Sequence, residues 1–199
     1  MIFTNEQSSI IYDKLYDWLT VYTPGSTYSK GRLKEYQKKV WDPVKHAINC
    51  ILKQSSKNEE EKEFLASSLY SGPIFRIQNY NPRSKGYINE NGYFQSWSKS
   101  IDGITSVTNL EGEVLLIVGT AVQGIDIFGL LCYLLENKYE MEINQLKIPK
   151  DLGRYEMEDE ISYPITITDL TSVVSVNKDQ INDWKNCSNQ IPRDKWRRF

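Results

Sequence analysis

Hydrophobic positions in the first third of the chain recur at helical spacing. Ile10, Ile11, Leu15, Trp18 and Leu19 fall on one face of a helix that starts near Asn5. Pro24-Gly25-Ser26 ends it. Leu33, Tyr36, Val40 and Trp41 form a second stripe. At Asp42-Pro43 a capping residue precedes a proline suited to a first helical turn, so the helix either kinks or starts afresh there. Val44, Ala47, Ile48, Ile51 and Leu52 supply the next apolar face. Asn58 and Glu61 have the spacing of a capping box, and Phe64, Leu65 and Leu69 carry the stripe that follows. Ser71-Gly72-Pro73 closes the helical stretch.

The period then changes. Ile74-Phe75-Arg76-Ile77 reads as a short strand with an arginine among apolar residues. Asn79 to Gly92, rich in Asn, Gly, Pro and Ser, reads as a loop. Tyr93 to Ser98 alternates apolar and polar, as a half-buried strand does. Lys99 to Glu111 is polar and turn-rich. Glu113 to Val118 is β-branched, apolar and bounded by glycines, the clearest strand of the chain, and Gly124 to Ile127 reads as another short strand. Phe128 to Leu135 suits a buried helix, and Asn137 to Tyr155 is polar and variable. Ile161 to Val176 supplies two further β segments, 163–167 and 172–176. Helices first and strands later give an α+β architecture, with a helical lobe over 1–72 and a β core over 73–199 in one compact domain.

Composition narrows the classes. The chain has 199 residues, a net charge of −2 and 12% aromatic residues, enough for a core and a lined pocket. The near-neutral balance argues against nucleic-acid binding as the main task, and the basic tail 193–198 reads as solvated charge. Cys50, Cys132 and Cys187 are odd in number and widely spaced. They form neither a disulfide framework nor a metal pattern, and read as buried thiols of a reducing compartment. The single histidine, His46, sits mid-helix beside Lys45. No basic-then-apolar leader opens the sequence and no apolar run reaches membrane-spanning length, which places the chain in a cytoplasm.

Chemistry concentrates in the β half. Arg76 is set in an apolar strand. Ser96 and Ser98 flank Trp97, and residues two apart on a strand share a face. Glu156-Met157-Glu158-Asp159-Glu160 runs directly into an apolar β segment. A carboxylate at the edge of a buried strand is costly unless it is paired or used. If the extended conformation reaches back that far, Glu158 and Glu160 face one cleft together.

Arginine, then Ser-aromatic-Ser, then Glu-x-Glu ahead of an apolar strand and proline resembles the mono-ADP-ribosyltransferases of the R-S-E class, which include arginine-modifying toxins and bacteriophage enzymes. The resemblance spans roughly Phe75 to Ile167 and takes in the helical lobe loosely. It implies a split β core of two packed sheets behind a helical N-terminal lobe. It implies NAD as substrate, no metal, and a protein acceptor in the host or target cell, modified on arginine. Arg76 would hold the NAD phosphate and ribose, a task suited to a planar, permanently charged fork. The backbone at Ile77 and the residues Ser96, Trp97 and Ser98 would complete the NAD site, with Ser96 orienting the catalytic carboxylate. Glu160 would bond the ribose 2′-hydroxyl and stabilise the oxocarbenium that forms as nicotinamide leaves. Glu158 would orient or deprotonate the guanidinium acceptor. Glu156 lies one step too far and reads as surface charge. Two residues depart from the family pattern: Ile77 stands where glycine is usual, and no aromatic residue lies between Ser98 and Asp126. Both departures suit a second reading, a non-catalytic binding or inhibitor protein that keeps the fold.

Overall fold

A computed structural model describes residues 2–21, 30–88, 90, 92–107, 110–137 and 152–197. It is a mixed α+β chain that divides into two units. The first comprises 1–70 and 125–156, and the second 71–124 and 157–199. The chain passes from the first unit to the second after Tyr70. The β half, however, is interrupted by a segment that belongs with the helices.

In the first unit, α1 (Asn5–Val21) buries Ile11, Tyr12, Leu15, Trp18 and Leu19 along one stripe, while Ile10 points outward at 39% exposure. Trp18 meets Tyr36 and Trp41 edge to face, with ring centroids 5.1 and 5.0 Å apart. α2 (Lys30–Tyr36) runs through a wider π turn at Gln37–Trp41 into α3 (Asp42–Leu52). The proline therefore neither stops the helix nor restarts it. Pro43 has no N–H to give, and the ladder adjusts one residue earlier: the Asp42 N–H bonds back to the Gln37 carbonyl.

α4 (Glu59–Ser68) opens on the expected capping box. Asn58 Oδ1 accepts from the Glu61 N–H at 2.9 Å, and the Glu61 carboxylate accepts from the Asn58 N–H at 3.0 Å. Asn58→Ala is expected to cost about 1 kcal/mol, read as a melting temperature lower by about 2–4 °C, with Asn58→Ser close to wild type. α6 (Ile127–Glu136) starts on Asp126, whose carboxylate accepts from the Gly129 N–H at 2.9 Å, and buries Ile127, Leu130, Leu131, Tyr133 and Leu134. It lies along α4, where Phe64 meets Tyr133 at 5.2 Å and Phe3 at 5.5 Å.

The second unit is built on one sheet of order β1-β2-β4-β3-β5, in which β1 also pairs with β3. Its strands are β1 (Leu69–Asn79), β2 (Gln95–Ser98), β3 (Glu113–Asp126), β4 (Glu160–Tyr163) and β5 (Leu170–Asn177). Where two packed sheets were expected, the described strands form one hydrogen-bonded network. β3 absorbs both strands expected between 113 and 127. The segment expected to be a strand over 163–167 stops at Tyr163, because Pro164 cannot donate to a ladder. Thr166 and Asp169 then close a short 3₁₀ turn with reciprocal bonds, Thr166 N–H to Asp169 Oδ2 at 2.8 Å among them.

Residues 114–118 are all buried, so both faces of β3 are covered there. On one face Ile77, Val114, Leu116, Val118 and Val176 pack with Ile104 of α5 (Ile101–Val107). That helix falls in a stretch expected to be turns. The charges of the basic tail at Arg193, Lys195 and Arg197 are exposed, as expected, and Trp196 ties the segment down. Trp196 is 3% exposed, its indole N–H donates to the Ile191 carbonyl at 2.8 Å, and Arg197 pairs with Glu90 at 2.8 Å.

Candidate functional site

The site is set by how two short strands meet. β2 and β4 run antiparallel with Gln95 opposite Tyr163, Ser96 opposite Ser162, Trp97 opposite Ile161 and Ser98 opposite Glu160. Residues directly opposite in such a pair point to the same face. Ser96, Ser98, Glu160 and Ser162 therefore line one face. Glu160 is only 7% exposed, a carboxylate inside the fold, as its place at the strand edge implied.

The register moves one role. Ser98, not Ser96, is the direct neighbour of Glu160. The Ser98 hydroxyl is committed to the backbone: Oγ lies 2.9 Å from the Ser100 carbonyl, 3.0 Å from the Glu158 carbonyl and 3.2 Å from the Ser100 N–H, which donates to it. Ser96 Oγ has no hydrogen bond to a described residue and sits diagonally from Glu160. Its partner Ser162 is fully buried, with a hydroxyl that finds no acceptor or donor among the described residues.

Glu158 and Glu160 do not share a strand face. Glu158 is the last residue of α7 (Leu152–Glu158), and β4 begins at Glu160. Between them Asp159 takes a left-handed conformation with φ of 52°. This costs a non-glycine residue roughly 1–3 kcal/mol, least for Asn and Asp. Side chains hold it there. Ser100 Oγ donates to Asp159 Oδ2 at 2.6 Å, Lys99 Nζ lies 3.6 Å from Oδ1, and the Lys99 N–H donates to the Asp159 carbonyl at 2.9 Å. Ser100 also caps α5, accepting from the Gly103 N–H at 2.9 Å. Gly103 is required: a Cβ there would overlap Ser98 Oγ and come within 2.6 Å of the Glu158 carbonyl. Motif order does not single out Lys99, Ser100 or Asp159. The signal for them lies in the serine three residues ahead of Gly103 and in the small acidic residue between the two glutamates.

Arg76 is not brought to this face. In β1, Phe75 stands opposite Ser98, so Arg76 points to the reverse side of the sheet. There it donates to Gln95 Oε1 at 2.9 Å and lies over the Trp97 ring at 5.9 Å. Trp97 is 2% exposed, and its indole N–H has no partner among the described residues. The Ile77 side chain belongs to the core of the second unit at 6% exposure, so only its backbone is available to a ligand. Glu156 and Met157 are exposed, Met157 at 63%.

The thiols differ from their expected burial. Cys50 is exposed, with Sγ 3.5 Å from His46 Nε2 one helical turn away. Cys132 is half-buried, and burial, reinforced by the charges of Glu136, Glu156 and Asp126, raises its thiol above the ordinary value. A raised value means less thiolate at neutral pH. Timed alkylation with iodoacetamide, read by peptide mass spectrometry, is expected to label Cys50 well ahead of Cys132. No group of three or more metal-ligating side chains occurs among the described residues, and no described helix is long and apolar enough to cross a membrane. No protein-family model, curated protein or solved structure matches the chain.

Proposed function

We propose that the protein is an NAD-dependent mono-ADP-ribosyltransferase acting on a protein acceptor, with arginine as the modified residue. One observation carries this reading: the β2–β4 register sets the Ser-Trp-Ser motif against Glu160, with Glu158 one turn residue away. Glu160 would accept the ribose 2′-hydroxyl bond and stabilise positive charge as the bond from ribose C1 to the nicotinamide nitrogen breaks. A guanidinium nitrogen of the acceptor would then bond to that carbon, and its proton would pass to Glu158. Ser98 would hold the Glu158 carbonyl and so the turn between the carboxylates, while Ser96 keeps a hydroxyl for Glu160 or ribose. Motif order assigns Arg76, Ile77 and Trp97 to the NAD site as well, whereas the strand register turns Arg76 and Trp97 to the other face from Glu160.

A second reading is a non-catalytic binding protein that keeps the fold. The orientation of Arg76 favours it, since its guanidinium is engaged with Gln95 and Trp97 on the other face from Glu160. Incubating a cell lysate with the protein and labelled NAD, then mapping label by mass spectrometry, separates the two. ADP-ribose on arginine side chains supports transfer. A folded protein that leaves every lysate protein unlabelled and gives no heat with NAD in calorimetry supports the binding protein.

A further inference from the structure

We propose that Asp159, clasped by Ser100 and Lys99, is a positioning residue that sets the angle of Glu158 to Glu160 and thereby decides whether ADP-ribose goes to a guanidinium acceptor or to water; this rests on the transferase reading above. The two glutamates are held by different means. Glu160 is fixed by its place in β4 opposite Ser98. Glu158 belongs to the end of a helix and reaches Glu160 only through the single left-handed residue between them. That residue keeps its conformation through the Ser100 hydroxyl at 2.6 Å, the Lys99 ammonium at 3.6 Å and the Lys99 N–H at 2.9 Å. Ser98 fixes the carbonyl on its other side at 3.0 Å. Loosening Asp159 therefore shifts Glu158 relative to Glu160, which the strand pairing still holds. Nicotinamide loss depends on the carboxylate at the ribose. Transfer also needs the second carboxylate in place to take the acceptor's proton, and displacement by about 1 Å is enough to cost a reaction of this kind one to two orders of magnitude.

The test compares wild type, Asp159→Ala and Asp159→Asn as full-length chains, with NAD alone and with NAD plus agmatine, a small guanidinium acceptor. The readout is the ratio of ADP-ribosyl-agmatine to free ADP-ribose, together with kcat and KM for each product. Asp159→Ala is expected to lower the ratio about tenfold, while kcat for hydrolysis stays within about twofold. Asp159→Asn, which tolerates the left-handed backbone and still accepts from Ser100, is expected to restore it. Ser100→Asp keeps an acceptor for the α5 cap but sets a second carboxylate against Asp159. It is expected to lower the ratio as well, which keeps the test decisive if Asp159→Ala does not fold. An unchanged ratio in Asp159→Ala, or an Asp159→Asn that falls as far as Asp159→Ala, overturns the proposal while the transferase reading stands. A wild-type protein that releases no nicotinamide overturns the transferase reading itself.

Discussion

Glu160→Gln is expected to release nicotinamide from NAD about a thousandfold more slowly than wild type. The substitution keeps the shape of the side chain and its place opposite Ser98, and removes only the charge. The amide still reaches a ribose hydroxyl, so NAD binding should change little and the loss should fall on kcat. Glu160 is only 7% exposed, so a loss of chemistry has to be told apart from a loss of fold. Steady-state nicotinamide release, with a melt on the same samples, checks both halves. Equal rates in wild type and variant would remove Glu160 from the chemistry.

Gly129→Ala is expected to be the most damaging small change in the helical unit. In an open helix the exchange stabilises by roughly 1 kcal/mol. Here the sign reverses. A Cβ at Gly129 would fall inside the Ser67 carbonyl of α4 and 2.9 Å from its carbon. The obstacle is backbone, so α6 has to move from α4, and the Phe64–Tyr133 contact moves with it. The expected cost is about 3 kcal/mol, at the upper end for overpacking, or a melting temperature lower by about 6–12 °C. A melt equal to or above wild type would mean that the two helices do not approach at Gly129 as described.

Features written in local spacing are legible in the sequence. The Asn58–Glu61 box, the α1 stripe, the β-branched run of β3 and the apolar helix after Asp126 each depend on residues a few positions apart. α5 is not legible: Gly103 and the β-branched Ile101, Thr105 and Val107 are poor helix formers, and the element rests on its Ser100 cap and on Ile104 in the core. The candidate site is half legible. Motif order points to Ser96 as the serine beside Glu160, with Ser98 in support, whereas the strands set Ser98 opposite Glu160. It carries nothing about register, and register decides which face a side chain takes. With Phe75 opposite Ser98, Arg76 faces away; a slip of one residue would have set it beside Ser98. The turn at Asp159 escapes for a similar reason. Glu-x-Glu reads as extended chain, whereas the side chains of Lys99 and Ser100, some 60 positions earlier, hold its middle residue in the left-handed region.

The central claim is that Glu160 and Glu158 together move ADP-ribose from NAD to a guanidinium group. Mass spectrometry of the products formed by wild-type protein from NAD and agmatine tests it most directly. The account predicts agmatine heavier by one ADP-ribose, free nicotinamide in at least equal amount, and neither product from Glu160→Gln on the same timescale. Intact NAD and unmodified agmatine after incubation with folded protein would contradict it.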